Sequence, residues 1–240
     1  MNKIDVKHLM PNDPEYPESV RAAFGGLLPP EIWYIGDIEI LNTKTVGFCG
    51  SRNASEYGLQ IAADCASQLA AVGVTVVSGY APGVDMASHE AALISGGRTI
   101  IVLPEGIDRF RIKKSVVPAW DWRRVLVISH FPRNAIWRAH QAMDRNKIIV
   151  ALSRAVIVLE AREMGGTLNA GHTTLRMKKP LFVAMYDDMN GSREGNHRLI
   201  SAGGVPLKRN RSSNHAQLRD VLGVLGISSD STRREASMGS

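Results

Sequence analysis

Residues 45–79, TVGFCGSRNASEYGLQIAADCASQLAAVGVTVVSG, decide how this chain folds. Thr45–Cys49 reads as a buried strand and Val74–Ser78 as a second one. Between them Glu56–Val72 reads as a helix. Its Leu59, Ala62, Ala63, Ala66 and Ala70 recur at helical spacing and leave a small-residue face able to lie close on a sheet. Working downstream, helices are expected at Asp85–Ser95, over most of Ile136–Leu152 and after Gly166. Strands are expected at Thr99–Leu103, Val125–Ile128, Ala155–Leu159 and Leu181–Ala184. Short apolar strands separated by helices imply a parallel sheet covered on both faces.

The fold class is therefore α/β, an extended Rossmann-like three-layer sandwich with a mostly parallel sheet. Upstream, Pro11, Pro14, Pro17, Pro29 and Pro30 make the first thirty residues an irregular lead-in. The expected division is a lead-in over 1–44, a Rossmann-like domain over 45–227 and a polar, disordered tail over 228–240. Open sheets of this kind bind ligands beyond the carboxyl ends of their strands. The chemistry is expected in the loops after Cys49, Ser78, Leu103, Ile128 and Leu159.

Composition narrows the function classes. No stretch approaches the length of an apolar membrane span. Met1–Met10 carries Lys3, Asp5 and Lys7 with no apolar core, unlike a signal peptide. Cys49 and Cys65 are the two cysteines, and both fall in predicted core elements. That suits a reducing cytoplasm and provides neither a disulfide framework nor a metal site. The formal charge is +6, unevenly spread. Residues 1–44 hold four basic and seven acidic side chains, whereas residues 109–154 hold eleven basic ones against Asp121 and Asp144. Phe110, Trp120, Trp122, Phe131 and Trp137 are interleaved with those cations. Clustered cations neutralise phosphates and aromatic faces stack on unpaired bases. A solvated basic face with core tryptophans would have the same composition, and charge alone does not choose.

Three loops carry anion-binding features. Gly50-Ser51-Arg52-Asn53-Ala54-Ser55 joins a glycine, a fixed charge and a helix start, the ingredients of a phosphate site. It lacks the G-x-G-x-x-G pattern and the Walker lysine and serine. Ser78-Gly79-Tyr80-Ala81-Pro82-Gly83-Val84-Asp85 places Gly79 and Gly83 around a bend, with Asp85 expected to cap the next helix and His89 to pack nearby. Gly165-Gly166-Thr167 opens a helix as a further anion cradle, or as a simple turn and cap. Gly195–Ile200 leads to Gly203-Gly204, a short helix with a glycine stop.

The order of these loops resembles the DprA/Smf family of DNA-processing proteins. The resemblance rests on Tyr16-Pro17 and Tyr34–Asp37, Val46–Gly58, Ser78–His89, Gly97–Leu103, Arg145-Asn146-Lys147-Ile148-Ile149, Gly166-Thr167-Leu168 and Gly195-Asn196. It covers roughly residues 14–207. It implies single-stranded DNA as the ligand, a RecA-type recombinase as a partner in natural transformation or recombination, a homodimer, and no cofactor or catalytic residues. By position it implies that Gly50, Ser51, Arg52, Arg145, Asn146, Lys147, Gly166 and Thr167 contact DNA. Pro82 stands where the family usually has arginine, and Ala142-Met143 replaces a Phe-Pro. The chain ends where longer relatives continue into a winged helix, so a short form is expected. The rival reading is a nucleoside-monophosphate phosphoribohydrolase of the LOG type, whose Pro-Gly-Gly-x-Gly-Thr-x-x-Glu puts Ala170 at the glutamate's place. Cleavage at a ribosyl carbon needs a carboxylate near the developing cation, which counts against it. A non-catalytic nucleotide sensor is a third reading.

Overall fold

In the computed structural model, which describes residues 5–186, 193–210 and 215–228, strands and helices alternate as the apolar pattern requires. Along the chain they run β1 (Lys7–Leu9), α1 (Glu18–Ala23), β2 (Ile32–Gly36), β3 (Thr45–Gly50), α2 (Glu56–Ala71), β4 (Thr75–Ser78), α3 (Val84–Ile94) and β5 (Thr99–Val102). They continue with β6 (Val125–Ser129), α4 (Ala139–Leu152), β7 (Ala155–Leu159), α5 (Gly166–Arg176), β8 (Leu181–Ala184), α6 (Arg193–Ser201), β9 (Val205–Leu207) and α7 (Arg219–Val224).

The sheet has the order β1-β2-β6-β5-β4-β3-β7-β8-β9. From β3 through β9 neighbouring strands pair in parallel, while β2 runs antiparallel to both β1 and β6. Strand β3 leads out through β4, β5 and β6 on one side, then β7 starts again on its other flank. The carboxyl ends of β3 and β7 therefore meet where the winding reverses, the position at which such sheets open a crevice. Alternate residues feed two cores. Val46, Phe48, Ile157 and Leu159 pack under α2, α3 and α7 with Ala62, Ala66, Leu69 and Val221. Cys49, Val156 and Val158 face the other way, against Ile148, Ile149, Ala170 and Leu199. The layers are helix, sheet and helix.

Several boundaries differ from the sequence expectation. The lead-in is not irregular: it contributes α1 and two strands to the same sheet, and Tyr16, Val20, Ile32 and Ile40 are buried. Tyr16 donates its hydroxyl proton to the Pro30 carbonyl at 2.8 Å, which fastens the proline-rich turn to α1. The helix expected from Ile136 begins at Ala139, because Arg138 is extended (φ −140°). The glycine stop after α6 is present, with Gly203 at φ +112°. Residues 229–240 of the expected tail lie outside the described residues. Among the described residues no helix is long and apolar enough to cross a membrane.

Candidate nucleic-acid interface

A cleft of about 510 Å³ opens at the carboxyl ends of β3 and β7. Glycine lets the loops at and behind it pack closely. A Cβ on Gly50 would lie 2.4 Å from a Val84 methyl, and one on Gly83 would lie 2.3 Å from the Ser51 carbonyl. The loops after β3 and β4 thus close onto each other, and the Val84 N–H donates to the Ser51 carbonyl at 3.2 Å. The Ser51 hydroxyl accepts the Asn53 N–H at 3.1 Å, a turn that throws Arg52 outward. The Arg52 guanidinium lies over the Trp137 ring, 5.4 Å from its centroid. Trp137 is 46% exposed.

Three helices start near this cleft, and they differ. The start of α2 is already filled from within. The Ser55 hydroxyl accepts the Gly58 N–H at 3.0 Å. The Glu160 carboxylate accepts the Ser55 N–H at 3.0 Å, and also the hydroxyls of Ser55 and Tyr186. Glu160 is 1% exposed and holds a left-handed φ of +52°. Burial, and then the Glu160 carboxylate, drive the Tyr186 hydroxyl pKa upward. The expectation that the helix start after Arg52 serves as part of a phosphate site is therefore corrected, because a carboxylate of the chain occupies it. Helix α5 begins without any side-chain cap, behind Gly165 at φ +129°. Helix α4 also begins uncapped. First-turn N–H groups have no intrahelical acceptor, and the helix dipole favours anions there. The helix starts at the cleft without a side-chain cap are those of α4 and α5.

Of the residues singled out by sequence, Gly50, Ser51, Arg52, Arg145, Asn146, Gly165, Gly166 and Thr167 line this one cleft. Gly79 and Gly83 do not line it. They lie behind it, where a Cβ on Gly79 would overlap the Arg145 guanidinium. Asn146 donates from Nδ2 to the Gly166 carbonyl at 3.1 Å and ties α4 to α5. Lys147 is elsewhere, with Nζ 3.7 Å from the centroid of the Phe24 ring.

Arg145 is not part of an exposed basic track. It is 6% exposed, ion-paired with Asp85 at 3.4 Å, and bonded to the Val102 carbonyl. Asp85 does not cap α3, whose N-cap is Gly83. Its carboxylate instead accepts the Ser78 hydroxyl at 2.9 Å and the Ala81 N–H at 3.2 Å. His89 is fully buried between Thr99 and the Gly79 carbonyl. That carbonyl can only accept, so Nε2 carries the proton, while Nδ1 faces the Thr99 hydroxyl, which also lies 3.0 Å from the Val76 carbonyl. Desolvation by burial holds its pKa down to about 4.

The aromatic and basic segment divides in the same way. Phe110, Trp120 and Trp122 cluster beside Tyr80, with Trp120 and Trp122 edge-on at 5.1 Å between centroids; Phe110 is in the core and the half-buried tryptophans pack against it. Lys113 donates to the Tyr80 carbonyl at 2.6 Å, Arg124 to the Leu93 and Ala119 carbonyls, and Arg133 pairs with Asp108. Much of the segment's positive charge therefore serves structure. Sequence reading missed Arg162 and Met164, which line the cleft from the loop after β7. Their signal was their place beside the Gly165 turn.

Fold and site together define a class: a Rossmann-like α/β protein with a cleft walled by helix starts and arginines at the carboxyl edge of its sheet. The chain belongs to the DNA recombination-mediator protein A family, whose model matches residues 7–215. Protein Smf of Escherichia coli K12 is 31% identical over 201 residues, 82% of this chain and 53% of Smf. The DNA processing protein DprA of Streptococcus pneumoniae R6 is 32% identical over 176 residues, 73% of this chain and 62% of that protein. The X-ray structure of DprA from Streptococcus pneumoniae has a TM-score of 0.75 at 28% identity, covering 86% of this chain and 71% of that one. DNA processing protein A from Helicobacter pylori, described for its unique single-stranded DNA binding mode, has a TM-score of 0.72 at 25% identity, covering 85% of this chain and 91% of that one. The chain spans about half the length of the first curated relatives it matches.

Proposed function

We propose that this protein binds single-stranded DNA along the cleft between β3 and β7. One observation carries the reading: the uncapped start of α5 at Gly165–Thr167 shares a cleft with Arg52 over a half-exposed tryptophan. A phosphate seat and a base platform then stand side by side, the pairing that sequence-tolerant strand binders use. The strand-binding mode described for the Helicobacter pylori relative supports it. We extend the proposal to presentation of the bound strand to a RecA-type recombinase, by a homodimer, in recombination or natural transformation.

The carboxylates near the cleft favour a binder over a glycosyl-cleaving enzyme. Glu160 is committed to the start of α2, Glu163 pairs with Arg198, and Ala170 is a core residue. Asp85, the other carboxylate lining the cleft, is paired with Arg145, so among the described residues each of these carboxylates is already engaged. The test is a titration of labelled oligo-dT, duplex DNA and mononucleotides at several salt concentrations. Oligo-dT is expected to bind most tightly, with a log–log salt slope of about −0.7 per phosphate held. Saturation by one mononucleotide, or release of free base from it, would overturn the reading.

A further inference from the structure

A second hollow, of about 600 Å³, lies between α1, α4 and α5. Met143 lines both it and the cleft, so the two share a wall. The hollow has two cations and an apolar side. Lys147 reaches into it from α4 with its ammonium over the Phe24 ring, and Arg176 enters from α5, donating to the Thr173 hydroxyl at 2.7 Å. Among the described residues neither cation is paired with a carboxylate, and Asp144 is the one acidic side chain in the lining. Phe24, Met143 and Met177 form the apolar side. His130 also lines the hollow, and its buried Nδ1 has no hydrogen-bond partner among the described residues. Burial keeps the ring neutral above a pKa of about 4, so it offers a hydrogen bond rather than repulsion.

We infer that this hollow is a second seat for the same DNA strand, with backbone phosphate at Lys147 and Arg176 and a base against Phe24 and Met143. The proposal rests on the cleft being a strand-binding site. The shared Met143 wall gives the path from one seat to the other. The lead-in supplies part of the second seat, through Phe24 and Pro30. A short oligonucleotide fills the cleft alone, whereas a longer one engages both seats.

The experiment compares oligo-dT of about 5 and about 15 nucleotides, which bracket the span of a typical single-strand site. Both are titrated against the full chain and against a Lys147→Gln/Arg176→Gln double variant, which keeps the packing stems. The ratio of long to short affinity is expected to fall about tenfold in the variant. Its salt slope on the long strand is expected to shrink by about 1.4, two contacts at roughly 0.7 each. An unchanged ratio, or an equal loss on both lengths, would overturn the second seat while leaving the cleft in place. If the unaltered protein binds neither oligonucleotide, the strand-binding reading itself falls, and this proposal with it.

Discussion

Arg52 and Arg145 come from sequence blocks of similar appearance, and both line the same cleft, but the protein uses them in opposite ways. Arg52 stands in the loop after β3 with its charge in solvent over Trp137. Arg145 lies beneath, in a buried network with Asp85, Ser78 and the Val102 carbonyl. The loop after β4 has spent its polar groups on itself, as has the start of α2. Arg52 in the loop after β3, and the uncapped start of α5 after β7, have not. A residue type near a cleft does not tell which of these two accounts applies; its partners do.

That contrast can be broken most easily at Arg145. Arg145→Ala leaves Asp85 buried without its counter-charge, a change that costs about 3–5 kcal/mol. Chemical denaturation should report it as a large fall in midpoint. Should stability survive while DNA binding disappears, Arg145 is a ligand group and the contrast fails. The next largest effect is acid sensitivity at His89, which is buried close to that network and feels the charges of Asp85 and Arg145. Its folded pKa of about 4 lies below the ordinary value of about 6.5, so the unfolded chain takes up the proton first. The stability tied to this group is complete above about pH 6.5 and is lost as pH falls towards 4, roughly 3 kcal/mol in all. Denaturation of the wild type and of His89→Gln across that window isolates it; parallel pH curves would place the acid response elsewhere. On the open side, Arg52→Ala should weaken oligo-dT binding by about 1–3 kcal/mol. Melting should be unchanged, since the side chain is exposed. Early unfolding with normal affinity would put Arg52 on the structural side of the comparison.

The sequence announces the parallel strands because burial on both faces makes each a continuous apolar run, such as Ala155–Leu159. The cleft loops are legible because Gly50 and Gly83 sit where any side chain would collide. Strands β1 and β2 were hidden. They are three and five residues long, lie on either side of the run of prolines from Pro11 to Pro30, and are too short to show a period. Lys147 was misplaced for a reason of geometry. Residues two apart on a helix point to different faces, so Arg145 and Lys147 serve different hollows. Composition counts aromatic rings without their burial, which is why Trp120 and Trp122 resembled Trp137. The filling of the α2 start by Glu160 joins residues 105 positions apart, a contact that no local pattern announces.

The antiparallel pairing of β2 with β6 also bears on where this chain can be cut. A fragment beginning at residue 45 would strip that partner away and leave Val125–Ser129, VLVIS, as an open edge. All five of those residues are buried in the intact sheet, and they include no charge and no proline. Bare edges of that composition recruit strands from other molecules. Strand β2 therefore covers an edge of aggregation-prone composition, and a minimal version of the domain has to keep that strand.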